Sequence, residues 1–109
     1  MSKFNNRFTV YNGTTYHSKK EAEYAMELEL RVKAKDIKAW DRQIRIPLVV
    51  NGHKICIYVM DFKIIHNDDS IEFIEVKGFK RDLWKVKWKL LGALLPTTFP
   101  SCTLTLIDC

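Results

Sequence analysis

The sequence predicts an α/β domain with the element order αβββαβ, a mixed β-sheet flanked by helices. Three observations carry that prediction. One stretch opens with a helix-start signature and bears an apolar stripe. Three strand-like runs follow, separated by compact turn signals. A second amphipathic stretch then leads into a last short strand-like run. With 109 residues, the chain makes one domain, 1–109. Its 47% hydrophobic and 28% charged composition is ordinary for a soluble globular fold and argues against disorder.

Residues 1–15 read as an N-terminal arm or first extended segment, with Asn12-Gly13 as a turn signal. The first helix starts at Ser18 and runs to about Lys35. Ser18 and Glu21 form an S-x-x-E capping box, in which the hydroxyl accepts from a free backbone N–H and the carboxylate reaches back. Ala22, Ala25, Leu28 and Val32 share one arc of the helical wheel and form the buried face. Glu21 falls in that same arc, whereas Glu23 and Glu27 fall opposite, beside Lys20 and Arg31. A carboxylate aimed at the core at a helix start has two readings, the cap and a metal, and both stay open on spacing alone.

Gln43 to Val50 is apolar and β-branched. Pro47 has no N–H to give a ladder, so this run is an edge or bulged strand. Asn51-Gly52 is a two-residue hairpin signal. Lys54 to Ile65 is long and apolar on both faces, hence central. His66 to Ser70 is a turn, and Ile71 to Lys77 is the third strand, ended by Gly78. A second helix from Asp82 to Leu95 places Trp84, Trp88, Leu91 and Leu95 at core spacing, with Pro96 as its stop. Cys102 to Ile107 is a last strand, reached by a helical crossover and so parallel to an earlier one. Trp40 reads as core. Cys56 and Cys102 read as buried thiols, and Cys109 is terminal.

Three cysteines at irregular spacing offer neither a zinc site nor a disulfide framework, so a reducing cytoplasm is the expected location. No apolar run approaches the ~20 residues a membrane span needs, so no membrane role is expected. The net charge is +5. The stretch from Lys77 to Lys89 holds Lys77, Lys80, Arg81, Lys85, Lys87 and Lys89 against the single acid Asp82. Arg81, Lys85 and Lys89 recur every four residues and form one exposed helical stripe, which suits a phosphate backbone. A merely solvated helix face has the same pattern.

Strand alternation puts Glu75 and Lys77 on one face of the third strand. Asp61 lies late in the preceding strand, within reach of Glu75 across the hairpin, and Glu21 converges on both if the first helix packs on that face. Side-by-side carboxylates repel and desolvate one another, and a hard divalent cation relieves that. All-oxygen ligands favour Mg²⁺ or Mn²⁺. Such an ion with a nearby lysine meets the needs of phosphodiester hydrolysis. Glu-x-Lys on a strand, taken alone, also fits a solvated ion pair. Asp61 inside the apolar run Ile55 to Ile65 does not fit so easily.

These residues carry a resemblance. Tyr16-His17-Ser18-Lys19-Lys20-Glu21-Ala22, Gln43 before an edge strand, Tyr58-Val59-Met60-Asp61-Phe62 and Glu75-Val76-Lys77-Gly78 together resemble the PD-(D/E)xK nuclease superfamily. Within it the pattern is most similar to small phage-encoded members and endonuclease I-type Holliday-junction resolvases. The similarity covers Tyr16 to Ile107 and departs from the superfamily pattern at Met60, where proline is usual before Asp61. It implies a restriction-endonuclease-like core. It makes Asp61, Glu75 and the Val76 carbonyl metal ligands, Lys77 the catalytic lysine, and Glu21 a further acid acting on the metal directly or through water. It also implies Mg²⁺ as cofactor, with Mn²⁺ as substitute and no small-molecule cofactor. The expected substrate is DNA, with branched DNA preferred and a homodimer as the working form. Linear-duplex cutting, nicking, RNA cleavage and a non-catalytic DNA-binding module are the alternatives. With the charge pattern, the resemblance nominates Lys19, Lys20, Gln43, Lys80, Arg81, Lys85 and Lys89 for DNA contact. His17, His53 and His66 read as turn or surface residues, and Trp84 and Trp88 as packing residues.

Overall fold

The computed structural model describes residues 9–78 and 80–108. In chain order the elements are β1 (Thr9–Tyr11), β2 (Thr14–Tyr16), α1 (Lys19–Lys33), β3 (Ala39–Val50), β4 (His53–Ile65), β5 (Ile71–Lys77), α2 (Asp82–Thr98) and β6 (Cys102–Asp108). The main sheet runs β3-β4-β5-β6. Its first three strands are antiparallel, and β6 returns parallel to β5 after the α2 crossover. The mixed α/β architecture and the αβββαβ order are as expected. No helix among the described residues is long and apolar enough to cross a membrane.

Local chemistry accounts for the connections. Asn51 and Gly52 both take positive φ, at 51° and 80°, which a two-residue hairpin of the favoured twist requires. Pro47 sits on the edge strand β3, and the ladder shifts register between Leu48 and Val49. Ser18 caps α1, its hydroxyl accepting from the Glu21 N–H at 3.1 Å.

Five expectations need correction. Strand β3 begins at Ala39 rather than Gln43, because Ala39 to Arg42 already pair with Ile65 to Phe62, so Trp40 and Gln43 lie inside the strand. Part of the anticipated N-terminal arm is a second hairpin, β1–β2, closed by Asn12 and Gly13 with the same positive-φ pair. Residues 1–8 of that arm lie outside the described residues. Helix α1 ends at Lys33 rather than Lys35, because Lys35 turns left-handed at φ 60°. The Lys35 and Asp36 N–H groups then bond back to Val32 and Arg31, a Schellman closure that an Arg31–Asp36 ion pair at 2.8 Å braces. Helix α2 runs past Pro96 to Thr98. A missing N–H in the final turn removes one hydrogen bond, and Phe99 N–H still reaches Leu95 O at 2.7 Å. Cys56 and Cys102 are half-buried free thiols rather than buried ones, and Cys109 lies outside the described residues.

The hydrophobic residues divide into two cores. One gathers Ala22, Ala25 and Leu28 of α1 with Phe62, Ile64, Ile74 and Val76. The other gathers Leu91 and Leu95 of α2 with Ile46, Leu48, Tyr58, Met60 and Phe73. In β4, Tyr58 and Met60 belong to the α2 core while Phe62 and Ile64 belong to the α1 core. Residues two apart in a regular strand share a face, so β4 changes faces between Met60 and Phe62, at Asp61. Strand β3 does the same, with Trp40 packed on the α1 core and Ile44, Ile46 and Leu48 on the other. The pairs Arg42↔Phe62 and Ile44↔Met60 bracket Gln43 opposite Asp61. Gln43 carries φ 54°, a left-handed residue within a strand. Both strands therefore turn over at one rung. Strand β5 alternates normally, with Phe73 on the α2 side and Ile74 and Val76 on the α1 side. Glu75 and Lys77 accordingly share the α2 face, as expected from alternation.

Candidate functional site

The face change coincides with a fork in the sheet. Strands β4 and β5 pair from Ile65↔Ile71 to Phe62↔Ile74 and no further. Before Phe62, β4 continues with β3 alone. After Ile74, β5 continues with β6 alone, through Lys77↔Asp108. At the crotch Val76 N–H has no strand partner, and Asp61 Oδ2 accepts it at 2.8 Å. In an extended strand a residue's N–H and C=O face the same edge, so the Val76 carbonyl also opens toward the fork. The N-terminus of α1 meets the fork from one side and the start of α2 from the other. Between them lies a cavity of about 640 Å³, lined by Glu21, Gln43, Asp61, Glu75, Val76 and Lys77 among others.

Three acids are buried in or beside this cavity: Glu21 at 4% exposure, Glu75 at 4% and Asp61 at 9%. Glu21 Oε1 and Glu75 Oε1 have no hydrogen-bond partner. Burial, then the Asp61 charge, pushes the Glu21 carboxyl up to about 7, against the pull of Arg42 and Lys77. Burial and Asp61 push Glu75 up to about 8, opposed by a hydrogen bond from Tyr58 and by Lys77. Asp61 is also raised by burial, with the Val76 N–H and Lys77 acting the other way. Glu21 and Glu75 thus take up protons near neutral pH unless a cation replaces them.

Two side chains to which the sequence reading gave no role at the site flank these acids. The Tyr58 hydroxyl accepts from Trp84 Nε1 at 2.8 Å and lies beside Glu75, whose pKa it pulls down. Burial first, then the Glu75 charge, raises the Tyr58 pKa far above its ordinary value, which keeps the hydroxyl a donor. Arg42 lies with its guanidinium 4.6 Å over the Tyr16 ring and 4.0 Å from Glu21 Oε1. Regular alternation would set Val59, not Tyr58, beside the Asp61 face. Only the turn-over at Asp61 brings Tyr58 to Glu75, so its sequence carries no signal. Arg42 is likewise one charged residue among many until Tyr16 is folded against it.

The capping box forms by half. Ser18 holds the Glu21 N–H, while Glu21 Oε1 accepts no hydrogen bond. The carboxylate is oriented by its helix and has only the long Arg42 ion pair, at 4.0 Å, to offset its charge. Lys77 is half-buried, its ammonium 5.5 Å from the centroid of the Trp84 ring. Lys20, Gln43 and Arg81 line the cavity, and so does Lys87, which was not nominated. Lys19, Lys85 and Lys89 are exposed outside it, and Lys80 pairs with Asp108 at 2.6 Å. Trp84 and Trp88 are half-buried and stacked at 5.3 Å, and Trp84 also lines the cavity, so it does more than pack. Trp40 is half-buried against the α1 core, its indole N–H donating to Glu29 at 2.8 Å.

The donor set suits a hard divalent cation: carboxylate oxygens, two of them buried without a hydrogen bond, and a backbone carbonyl at a strand fork. Among the described residues, however, no three His, Cys, Asp or Glu side chains stand close enough together to hold an ion as they are. The three acids thus line one cavity without closing into a cage.

Comparison with curated proteins and with solved structures returns no significant match to either. Residues 1–107 match a family described as a protein of unknown function, DUF1064, and the chain belongs to that family.

Proposed function

We propose that this chain is a divalent-metal-dependent endonuclease that hydrolyses phosphodiester bonds in DNA, with branched DNA such as a four-way junction preferred. The observation that carries the reading is the pair of buried carboxylate oxygens without a hydrogen bond, on Glu21 and Glu75, sharing one cavity with Asp61 and Lys77. A folded chain retains such groups at a cost, and hydrolytic chemistry is a use for them. Asp61, Glu75 and the Val76 carbonyl would hold Mg²⁺, or Mn²⁺ in its place, with Glu21 joining directly or through water. The bound ion would supply Lewis acidity toward the phosphoryl oxygen and a more acidic water.

The chain's own residues do the rest. Val76 N–H fixes one Asp61 oxygen. The Tyr58 hydroxyl pulls the Glu75 pKa back down, toward the ionised form that a metal needs. Lys77 brings a cation to the mouth of the fork, where negative charge builds on the phosphate in the transition state. Lys20, Arg81 and Lys87 surround the cavity and offer contacts to flanking phosphates. A twofold dimer would present two such cavities to a symmetric junction.

Cleavage of an end-labelled four-way junction beside a linear duplex of the same sequence, with Mg²⁺ or EDTA, tests the reading. Expected are metal-dependent paired cuts in the junction that Lys77→Ala abolishes. Equal cutting of both substrates retains the endonuclease and removes the branch preference. One observation favours a second reading, a non-catalytic DNA-binding module: the acids do not close into a cage. That reading predicts binding that survives Glu75→Gln and no cutting under any metal.

A further inference from the structure

The cavity mouth is not uniformly basic. Leu83, in the first turn of α2, is 72% exposed and lines the cavity, as does Val59 of β4 at 39%. The Trp84 and Tyr58 rings line the same cavity, Trp84 Nε1 donating to Tyr58 OH, with the Lys77 and Lys87 ammonium groups 5.5 and 5.9 Å from the two ring centroids. Val59 and Leu83 offer the cavity bare apolar surface. The cations Lys20, Arg81 and Lys87 line the same cavity. A paired duplex shows such a site phosphates and sugars, and its bases are stacked away. Exposed leucine and valine gain nothing from a phosphate. An unstacked base, by contrast, has an apolar face and is tethered to the phosphate that the cations would hold. The volume, about 640 Å³, lies in the range of pockets that enclose small-molecule-sized groups.

We propose that Val59, Leu83 and Trp84 form a seat for one unstacked nucleobase beside the acid cluster, so that the substrate presents an unstacked base, as a bulge or an opened branch point does, next to the bond that is cut. The location of that bond rests on the endonuclease reading, whereas the seat itself is a binding site with its own readout.

The probes are two duplexes with a single-nucleotide bulge, identical except that one bulged nucleotide is replaced by an abasic sugar. Both carry the same phosphates, so electrostatic binding cancels in their ratio. Affinities are measured in EDTA at one salt concentration, where no cleavage occurs. The wild type should bind the base-bearing probe roughly tenfold more tightly. In Leu83→Ser combined with Val59→Ser the ratio should fall below about twofold, and in Leu83→Phe it should persist. Both changes are at exposed positions, and circular dichroism checks that the variants remain folded. A ratio near one in the wild type, or an unchanged ratio in the double variant, overturns the seat. A normal ratio with no metal-dependent cleavage keeps the seat and discards the endonuclease. Cleavage with a ratio near one discards the seat alone.

Discussion

The core under α1 and the core under α2 lie on opposite faces of one sheet, and they are finished differently. The α1 core is closed. Ala22, Ala25 and Leu28 bring the helix close to the sheet, and Phe62 is flanked by Tyr24 at 5.3 Å and Trp40 at 5.8 Å. A serine caps that helix, and a Schellman turn ends it. The α2 core is closed only at its far end, by Leu91, Leu95, Phe73 and Phe99. Its near end has half-exposed tryptophans, exposed Leu83 and Val86, and a helix start at Arg81 whose side chain makes no cap hydrogen bond. The acids sit at the seam, where β3 and β4 pass from one face to the other. The difference teaches where this fold puts its stability and where it leaves groups unsatisfied.

The largest effect expected from breaking this contrast is in the closed core. Phe62→Ala should cost about 3–5 kcal/mol in a denaturant titration, because tightly packed neighbours collapse little. Trp88→Phe, in the open half, should cost far less, and comparable losses would sink the contrast. At the seam the effects on stability and activity should diverge. Glu75→Gln should lower metal-dependent cleavage by about a hundredfold or more while raising the melting temperature of the metal-free protein. A parallel loss of both would make Glu75 a structural residue.

The pH dependence sharpens the same point. An acid with a raised folded pKa holds its proton more tightly when folded, so its ionisation opposes folding. Glu21 is raised from 4.5 to about 7 and Glu75 from 4.5 to about 8. The metal-free protein should therefore be most stable below pH 4.5 as far as these groups act, and should lose that stability as pH climbs to about 8. Urea midpoints in EDTA should fall over this window, and Mg²⁺ or Glu75→Gln should flatten the slope. A flat profile in EDTA would mean that the acids find partners in solution. The smallest effect is at the helix start: Ser18→Ala should cost about 1 kcal/mol by thermal melting.

Much of the fold was legible because its causes are local. Ser18 three residues before Glu21, Asn51-Gly52, and Pro47 each act through neighbouring backbone, and the structure has the cap, the hairpin and the edge strand they imply. The same logic reached Glu21, Glu75 and Lys77, whose facing follows from period alone. Asn12-Gly13 marked its turn, but strands of three residues are too short to show alternation, so the β1–β2 hairpin escaped notice. Lys35 and Pro96 misled because a non-glycine Schellman turn and a proline in a last turn are permitted exceptions to the usual helix stops.

By itself, then, the sequence determined the order of elements from α1 onward, the edge and the centre of the sheet, the inward acid of α1 and the shared face of Glu75 and Lys77. Turn chemistry and hydrophobic period act over a few residues and need no partner. Only the tertiary structure decided that β3 and β4 turn over together at Gln43 and Asp61, that the sheet forks there, and that Tyr58 and Arg42 serve the acids. Those outcomes depend on how a long hairpin coils between two helices on opposite faces, and no single strand's pattern encodes that.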